Sequence, residues 1–409
     1  MDVKLVRHPS GQNLPVLIDE DGLPVPLPNE WIMHRRDLSP NTLIRNLREL
    51  AIFYVWLDSL NIDFAKRVSS DHIFTEAELS GSLCERLRLT VTAGSKKTAA
   101  LISNSGVKVA VSPMTFKLRL ITIRQFIGWC FRFKLASLSS NDPAFLRIQA
   151  HKDHIDKILC DQQLRKPPQN KSITKGLRDH QIKALVWCVD FRNPDAYGLN
   201  EHVRFRNFII VMIMLSFGLR PAEVLTLRLS DIEFGSVTAL RVIRRVADPN
   251  DTRSPQPRIK RNGRDLVVQD ITLLSLIEEY IEEHRERVMD RYDKDHSYLI
   301  VSDEGDPLHG NSISNYFRII RDRFKSELPS NLTPKSLRHT YSSRTERDMA
   351  ERGVPEDERK QVLAYLRGDN STRSQEVYVA GEIIRQATAI QSQYHDTLMQ
   401  GFREHRCHD

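Results

Sequence analysis

Two arginines, two lysines and a tyrosine in the second half of the chain are of types that could hold an anion or move a proton. Arg220 follows Phe217-Gly218-Leu219 and precedes Pro221. Glycine permits a sharp break after an apolar run, and proline suits the first turn of a helix, so Arg220 is held at a helix junction. Alone, such an arginine is a structural partner for an acid such as Glu223 or Asp231. Lys335 and Arg338 follow a cap and first-turn pair, Thr333-Pro334. Three positions apart, they share one face near the positive end of a helix, a good place to hold an anion. Lys260 sits in the basic turn Arg258-Ile259-Lys260-Arg261-Asn262-Gly263-Arg264, where solvation or protection of a sheet edge is the plain reading. Tyr378 comes 40 residues after Arg338. Alone it reads as a packing residue. Tyr341 and Tyr365 read as core, and His339 as support for its own helix.

The elements that must position these residues are mostly helices. Residues 203–216 predict a helix before Arg220, and 334–350 one that carries Lys335 and Arg338. Alternating β-branched residues predict strands at 237–246 and 264–270 around the basic turn, with a third at 298–301. Further helices are expected near 179–190, 271–290, 310–326, 355–366 and 382–403, with Gly368 ending the penultimate one. In the first half, Ser39-Pro40 caps a helix whose stripe is Leu43, Leu47, Leu50 and Tyr54. Ser112-Pro113 opens a similar one. In both, Phe follows the serine by 14 positions and Trp by 17 (Phe53 and Trp56; Phe126 and Trp129). Two independent helices with a shared start signal explain that echo as well as a repeat does. The expected organisation is an irregular arm at 1–28, a helical domain at 29–160, a basic, proline-paired linker at 161–174 and a second domain at 175–409. The stretch 89–110 reads as a loop within the helical domain.

Composition narrows the classes. The 409 residues suit two domains, and 40% hydrophobic content suffices for ordinary cores. No run nears the roughly 18 apolar residues that a membrane span requires, and the N-terminus carries no secretory pattern. A cytoplasmic, nucleoid-associated protein is expected, without membrane contact. Cys84, Cys130, Cys160, Cys188 and Cys407 lack metal-ligand spacing. The tail His405-Arg406-Cys407-His408 reads as a frayed terminus, and no metal is expected. A net charge of +7 permits nucleic-acid binding without demonstrating it.

Taken in order, the segments resemble the signature boxes of the phage integrase, or tyrosine recombinase, family. Gly218 through Leu227 match its first box, G-L-R-x-x-E-x-L-x-L. Lys260 matches its hairpin lysine, and Lys335-Ser336-Leu337-Arg338-His339-Thr340 matches H-x-L-R-H-T except at the first position. Its last box runs from L-G-H through nine residues to the tyrosine, where this chain has Arg367-Gly368-Asp369 and then Tyr378. The resemblance implies a mostly α fold with a small antiparallel sheet, a helical core-binding domain and a catalytic domain. It implies a site-specific recombinase or integrase that cuts and rejoins double-stranded DNA through a 3′-phosphotyrosyl link. It also implies a homo-tetramer on DNA, with the helix after Tyr378 packing on a neighbour.

The chemistry asks for such residues. Guanidiniums at 220 and 338 match phosphate oxygens and stay charged as the phosphorus becomes pentacoordinate. A phenol with an ordinary pKa of about 10 needs a proton acceptor or a positive field to attack. A mobile Lys260 can protonate the departing 5′ oxygen. The phosphotyrosyl bond keeps the energy of the cut strand, so no metal, ATP or other cofactor is expected, and no phosphate-binding G-x-x-x-x-G-K-[ST] loop is present. Two positions depart from the family. Lys335 replaces a histidine, and Asp369 replaces the His or Trp that contacts the scissile phosphate. Asp369 orients another residue, or Arg367 or Arg373 supplies the missing contact, or the alignment slips. Arg45, Arg48, Arg119, Arg124 and Arg258 are candidate DNA contacts. The rival readings are a type IB topoisomerase and an accessory DNA-binding protein that has lost catalysis.

Overall fold

A computed structural model describes residues 1–9, 13–69, 74–90, 110–162, 176–235, 238–260, 263–268, 270–375 and 378–379. It divides the chain into two compact units, Met1–Asn170 and Lys171–Asp409, each with its own buried core. The segment read as a linker lies almost wholly outside the described residues, as do the helix expected at 382–403 and the tail with Cys407. Among the described residues, no helix is long and apolar enough to cross a membrane.

Unit 1 opens with an antiparallel hairpin, β1 (Asp2–Arg7) on β2 (Asn13–Ile18), registered from Asp2 opposite Ile18 to Arg7 opposite Asn13. This corrects the irregular arm expected at 1–28. Alternate residues of β2 turn inward, Leu17 completely, over a run too short for its period to stand out beside Pro15. Asn29 pins the strand by accepting the Leu17 N–H at 2.7 Å and donating to its carbonyl at 2.8 Å. The helices follow: α1 (Pro26–Met33), α2 (Pro40–Ser59), α3 (Phe64–Ser69), α4 (Cys84–Arg88), α5 (Pro113–Ala136) and α6 (Pro143–Asp161). Ser39 and Ser112 each accept the amide three residues on, at 3.3 and 3.1 Å, so α2 and α5 start alike. Phe53 and Phe126 meet at 6.3 Å, each stacked on its own tryptophan, Trp56 and Trp129. The echo in sequence is thus a shared cap and a shared place in one aromatic core.

Unit 2 is mostly helical with a three-stranded antiparallel sheet. Its elements are α7 (Asp179–Val189), α8 (Glu201–Phe217), α9 (Pro221–Thr226), β3 (Ile232–Glu233), β4 (Thr238–Val242), β5 (Arg264–Val268), α10 (Ile271–Glu279), α11 (Glu286–Arg291), α12 (Ser312–Arg323), α13 (Pro334–Glu351) and α14 (Glu356–Arg367). The sheet order is β3-β4-β5, with Leu240 opposite Ile232 on one side and Leu266 on the other. Two expectations change. Tyr298–Val301 is not the third strand, because its backbone groups go to scattered partners: the Leu299 N–H to the Leu227 carbonyl at 2.8 Å, the Tyr298 carbonyl to Arg285 and the Val301 carbonyl to Arg206. β4 ends at Val242, because the chain beyond it is held by ion pairs instead of a ladder. Arg228 binds Asp248 at 2.8 Å, Arg245 binds Asp231, and buried Arg253 binds Asp251 and the carbonyls of Leu225 and Leu308. Most of α8 is buried, and it packs on α13. That contact brings the end of one helix to the start of the other.

Candidate active site

Arg220 owes its place to the break that the sequence predicts. α8 stops at Gly218, whose φ of +60° lies in the left-handed region open to glycine. A Cβ there would stand 2.4 Å from Tyr341 Cδ1, so the close packing of α13 requires glycine as well. Arg220 then caps α9, its N–H bonded to Glu223 Oε2 at 2.9 Å. α13 begins with Ser336 Oγ accepting the Thr333 N–H at 3.1 Å, and Arg338 follows one turn later, buried. α14 ends at Gly368, also left-handed, and the Asp369 N–H turns back to the Ala364 carbonyl at 2.8 Å.

These three helix ends converge. Arg220 Nη2 donates to Asp369 Oδ1 at 2.7 Å, and Arg338 Nη2 lies 3.4 Å from the same oxygen. Both guanidiniums also donate to the Arg367 carbonyl, at 3.3 and 2.6 Å, where the negative end of α14 favours cations. Arg338 Nη1 donates to the Gly218 carbonyl at 2.7 Å. Asp369 Oδ2 accepts from Arg367 Nε and Gln375 Nε2, both at 3.0 Å. Arg367 Nη1 reaches Ser342 Oγ and, at 2.8 Å, the Tyr378 hydroxyl. That hydroxyl lies 2.6 Å from His339 Nδ1. Behind the cluster, Arg264 Nη2 donates to Glu223 Oε2 at 3.1 Å, both side chains being buried.

The electrostatics follow from this crowding. Burial opposes the charge on Asp369, but the bond and charge of Arg367, the charge of Arg338 and the bond from Gln375 outweigh it. They hold the carboxyl well below the usual carboxylate range. Burial also opposes the charge on Glu223, and Arg264 and Arg220 overcome it in the same way. Burial, with Arg367 and Arg220 alongside, lowers the Arg338 guanidinium. A guanidinium nevertheless stays charged at neutral pH. Four guanidiniums (Arg220, Arg264, Arg338, Arg367) therefore face two carboxylates, a surplus of positive charge that an added anion would relieve. Arg220, with 28% of its side chain exposed, is the open edge of this site.

Of the residues singled out from sequence, Arg220, Arg338, Asp369 and Tyr378 meet here. Lys260 and Lys335 are exposed, and neither bonds to the cluster among the described residues. Arg258 is half-buried on the loop before β5. Arg45 is paired with Glu49 at 3.6 Å, Arg124 lies 3.5 Å from Asp156, and Arg48 is exposed. Arg119 is a correction. It is buried and donates to the carbonyls of Leu87 and Leu89 at 2.7 and 2.8 Å, so it closes the end of α4 and offers no surface for DNA. A helical position on α5 gave no sign that the guanidinium turns inward. His339, read as support, instead meets the phenol. Arg264, at the head of a strand, carried no signal at all.

Residues 177–374 match the family model described as the phage integrase family. No curated protein matches the chain. The chain is similar to several solved structures. The Tn1549 transposon integrase in complex with circular intermediate DNA is 15% identical over 86% of this chain and 93% of that one, with a TM-score of 0.47. The XerH site-specific recombinase bound to palindromic difH substrate is 12% identical over 87% and 90%, with a TM-score of 0.43. A lambda integrase dimer bound to a COC′ core site is 14% identical over 85% and 92%, with a TM-score of 0.44. Unit 2, with the boxes around Arg220 and Arg338 inside the matched segment, is a domain of the phage integrase family, the tyrosine recombinases.

Proposed function

We propose that this chain is a site-specific recombinase that cuts and rejoins double-stranded DNA through a 3′-phosphotyrosyl link at Tyr378, without metal or ATP. The observation that carries the reading is the shared acceptor. Two guanidiniums from different helices aim at one oxygen, Asp369 Oδ1, and Arg367 joins that carboxylate to the Tyr378 hydroxyl. An oxyanion between Arg220 and Arg338 would thus lie one side chain away from a phenol. Tyr378 stands four residues past the matched segment, so its role rests on these contacts.

In this reading Arg220 and Arg338 hold the non-bridging oxygens and stabilise the charge that grows on them. Asp369 orients three guanidiniums, and Lys335 contacts the phosphate from the surface. Lys260, on its basic turn, protonates the 5′ oxygen as it leaves. Unit 1 clamps the duplex, the segment 161–174 joins the two units, and the helix expected after Tyr378 links four protomers. One observation favours a second reading, an accessory DNA-binding protein: a carboxylate already occupies the anion position, and Tyr378 is buried. A nicked suicide duplex carrying the DNA that flanks the chain's own gene separates the two. The recombinase forms a covalent adduct stable to detergent, and Tyr378→Phe forms none. Binding without an adduct at any pH supports the accessory reading.

A further inference from the structure

We infer that His339 is the group that removes the proton from Tyr378 and later returns it. The inference rests on the proposed phosphotyrosyl chemistry and adds to it a base that the sequence boxes leave unassigned. Chemistry fixes the direction of the arginine bond. A guanidinium has only hydrogens to give, so the Tyr378 oxygen accepts from Arg367 Nη1 at 2.8 Å. The hydroxyl's own hydrogen is then free to point at His339 Nδ1, 2.6 Å away, which accepts it in the Nε2–H tautomer. A base on one side and a fixed cation on the other is the arrangement that a phenol needs to ionise.

Other groups nearby fail as acceptors. Among the described residues, Arg367 from α14 bonds the phenol directly, Asp369 bonds Arg367, and Arg338, next to His339 on α13, bonds the Arg367 carbonyl. The two guanidiniums are donors at neutral pH. The Asp369 carboxylate is bonded on both oxygens by guanidiniums and by Gln375, and is held far below the range of a useful base. Lys335 is exposed and makes no bond to Tyr378 among the described residues. Imidazole is also the side chain whose ordinary pKa suits proton transfer near neutrality.

The step balances. The Tyr378 O–H bond breaks and an Nδ1–H bond forms, leaving an imidazolium. The phenolate attacks phosphorus, and the 5′ oxygen departs with a proton from a separate donor. On rejoining, the 5′ hydroxyl gives its proton to the neutral amine left on Lys260, the proposed donor, as its oxygen attacks phosphorus, and the Tyr378 oxygen leaves with the proton held on His339.

The test has two arms on the full chain. In single-turnover adduct formation on the suicide duplex, His339→Gln keeps an acceptor oxygen but cannot carry a proton. The expected rate falls about 10²- to 10⁴-fold, and the acid limb of the pH profile disappears. A more acidic fluorotyrosine at 378 should recover at least tenfold in the variant, and less in the parent chain. The second arm needs no DNA: ¹⁹F resonance of that fluorotyrosine should report a titration step that His339→Gln abolishes. Thermal melts establish that the variant is folded. The inference is overturned if the parent forms adduct and the variant keeps its rate and acid limb. It is overturned equally if the variant is slow but fluorotyrosine restores nothing, which assigns His339 to positioning. Absence of adduct in the parent chain defeats the phosphotyrosyl reading instead, and the ¹⁹F step then decides the histidine contact by itself.

Discussion

Arg220 and Arg338 differ in what each stands to lose. Arg338 is anchored by two carbonyls as well as the carboxylate, whereas Arg220 is held mainly by Glu223 and Asp369. A lysine has no fork to span two acceptors. Arg220→Lys is therefore expected to fold normally and to slow adduct formation by roughly 10²- to 10³-fold, the usual loss for an oxyanion donor. A rate within threefold of the parent would remove Arg220 from the proposed site. The carboxylates carry the stability instead. Removing Glu223 leaves Arg264 buried and unpaired, so Glu223→Gln should cost about 3–5 kcal/mol, read from urea unfolding at neutral pH. The sign with pH follows from the same groups. Asp369 and Glu223 both titrate lower when folded than unfolded. Their contribution is complete above the ordinary carboxyl values of about 4 and is lost as pH falls through the depressed folded values. The parent chain should lose stability steeply below about pH 4, and Asp369→Asn should flatten that slope. Equal slopes would mean that the cluster does not set acid stability.

At the scale of elements, the site depends on where three helices stop and start. Gly218 is the sharpest case, since a side chain there meets both a left-handed backbone and the Tyr341 ring. Gly218→Ala should destabilise unit 2 by at least 1–2 kcal/mol, the approximate cost of the left-handed conformation alone. It should also displace the carbonyl that holds Arg338, so adduct formation drops further than the melting temperature implies. An unchanged melt would contradict the close approach. These junctions were legible because glycine and proline write them into the sequence: Gly218, Pro221, Pro334 and Gly368 each mark a helix end that the fold contains. What was not legible depends on contacts between distant segments. The hairpin at Asp2–Ile18 needs Asn29 to hold it, and the loop after β4 needs Arg228 to hold its Asp248 and Asp231 to hold its Arg245. Arg119 and Arg48 look alike along a helix, and only the open carbonyls of Leu87 and Leu89 distinguish them. His339 was passed over for a related reason: its neighbour in the box supplied the recognisable chemistry, and a phenol 39 positions away gave it a partner.

For the whole molecule, each unit buries its own apolar cluster, around Phe53 and Phe126 in the first and around α8 in the second. Each cluster is large enough to sustain cooperative folding, so a chain divided after Asn170 should yield two fragments that melt independently. DNA binding then tests whether both units contact phosphates, as the proposed clamp requires. Every phosphate neutralised adds about 0.9 to the slope of log affinity against log salt on duplex DNA. The full chain is expected to show a steeper slope than the 171–409 fragment, and adding the 1–170 fragment in trans should not restore it. Within the full chain, Arg48→Ala should lower the slope by about 1, because that side chain is exposed and free to reach a phosphate. Arg119→Ala should leave the slope unchanged and lower the melting temperature of unit 1, because its guanidinium closes α4. If the 171–409 fragment binds DNA with the full chain's slope, unit 1 adds no phosphate contacts. The clamp would then fail as a description of this protein, even with the chemistry at Tyr378 intact.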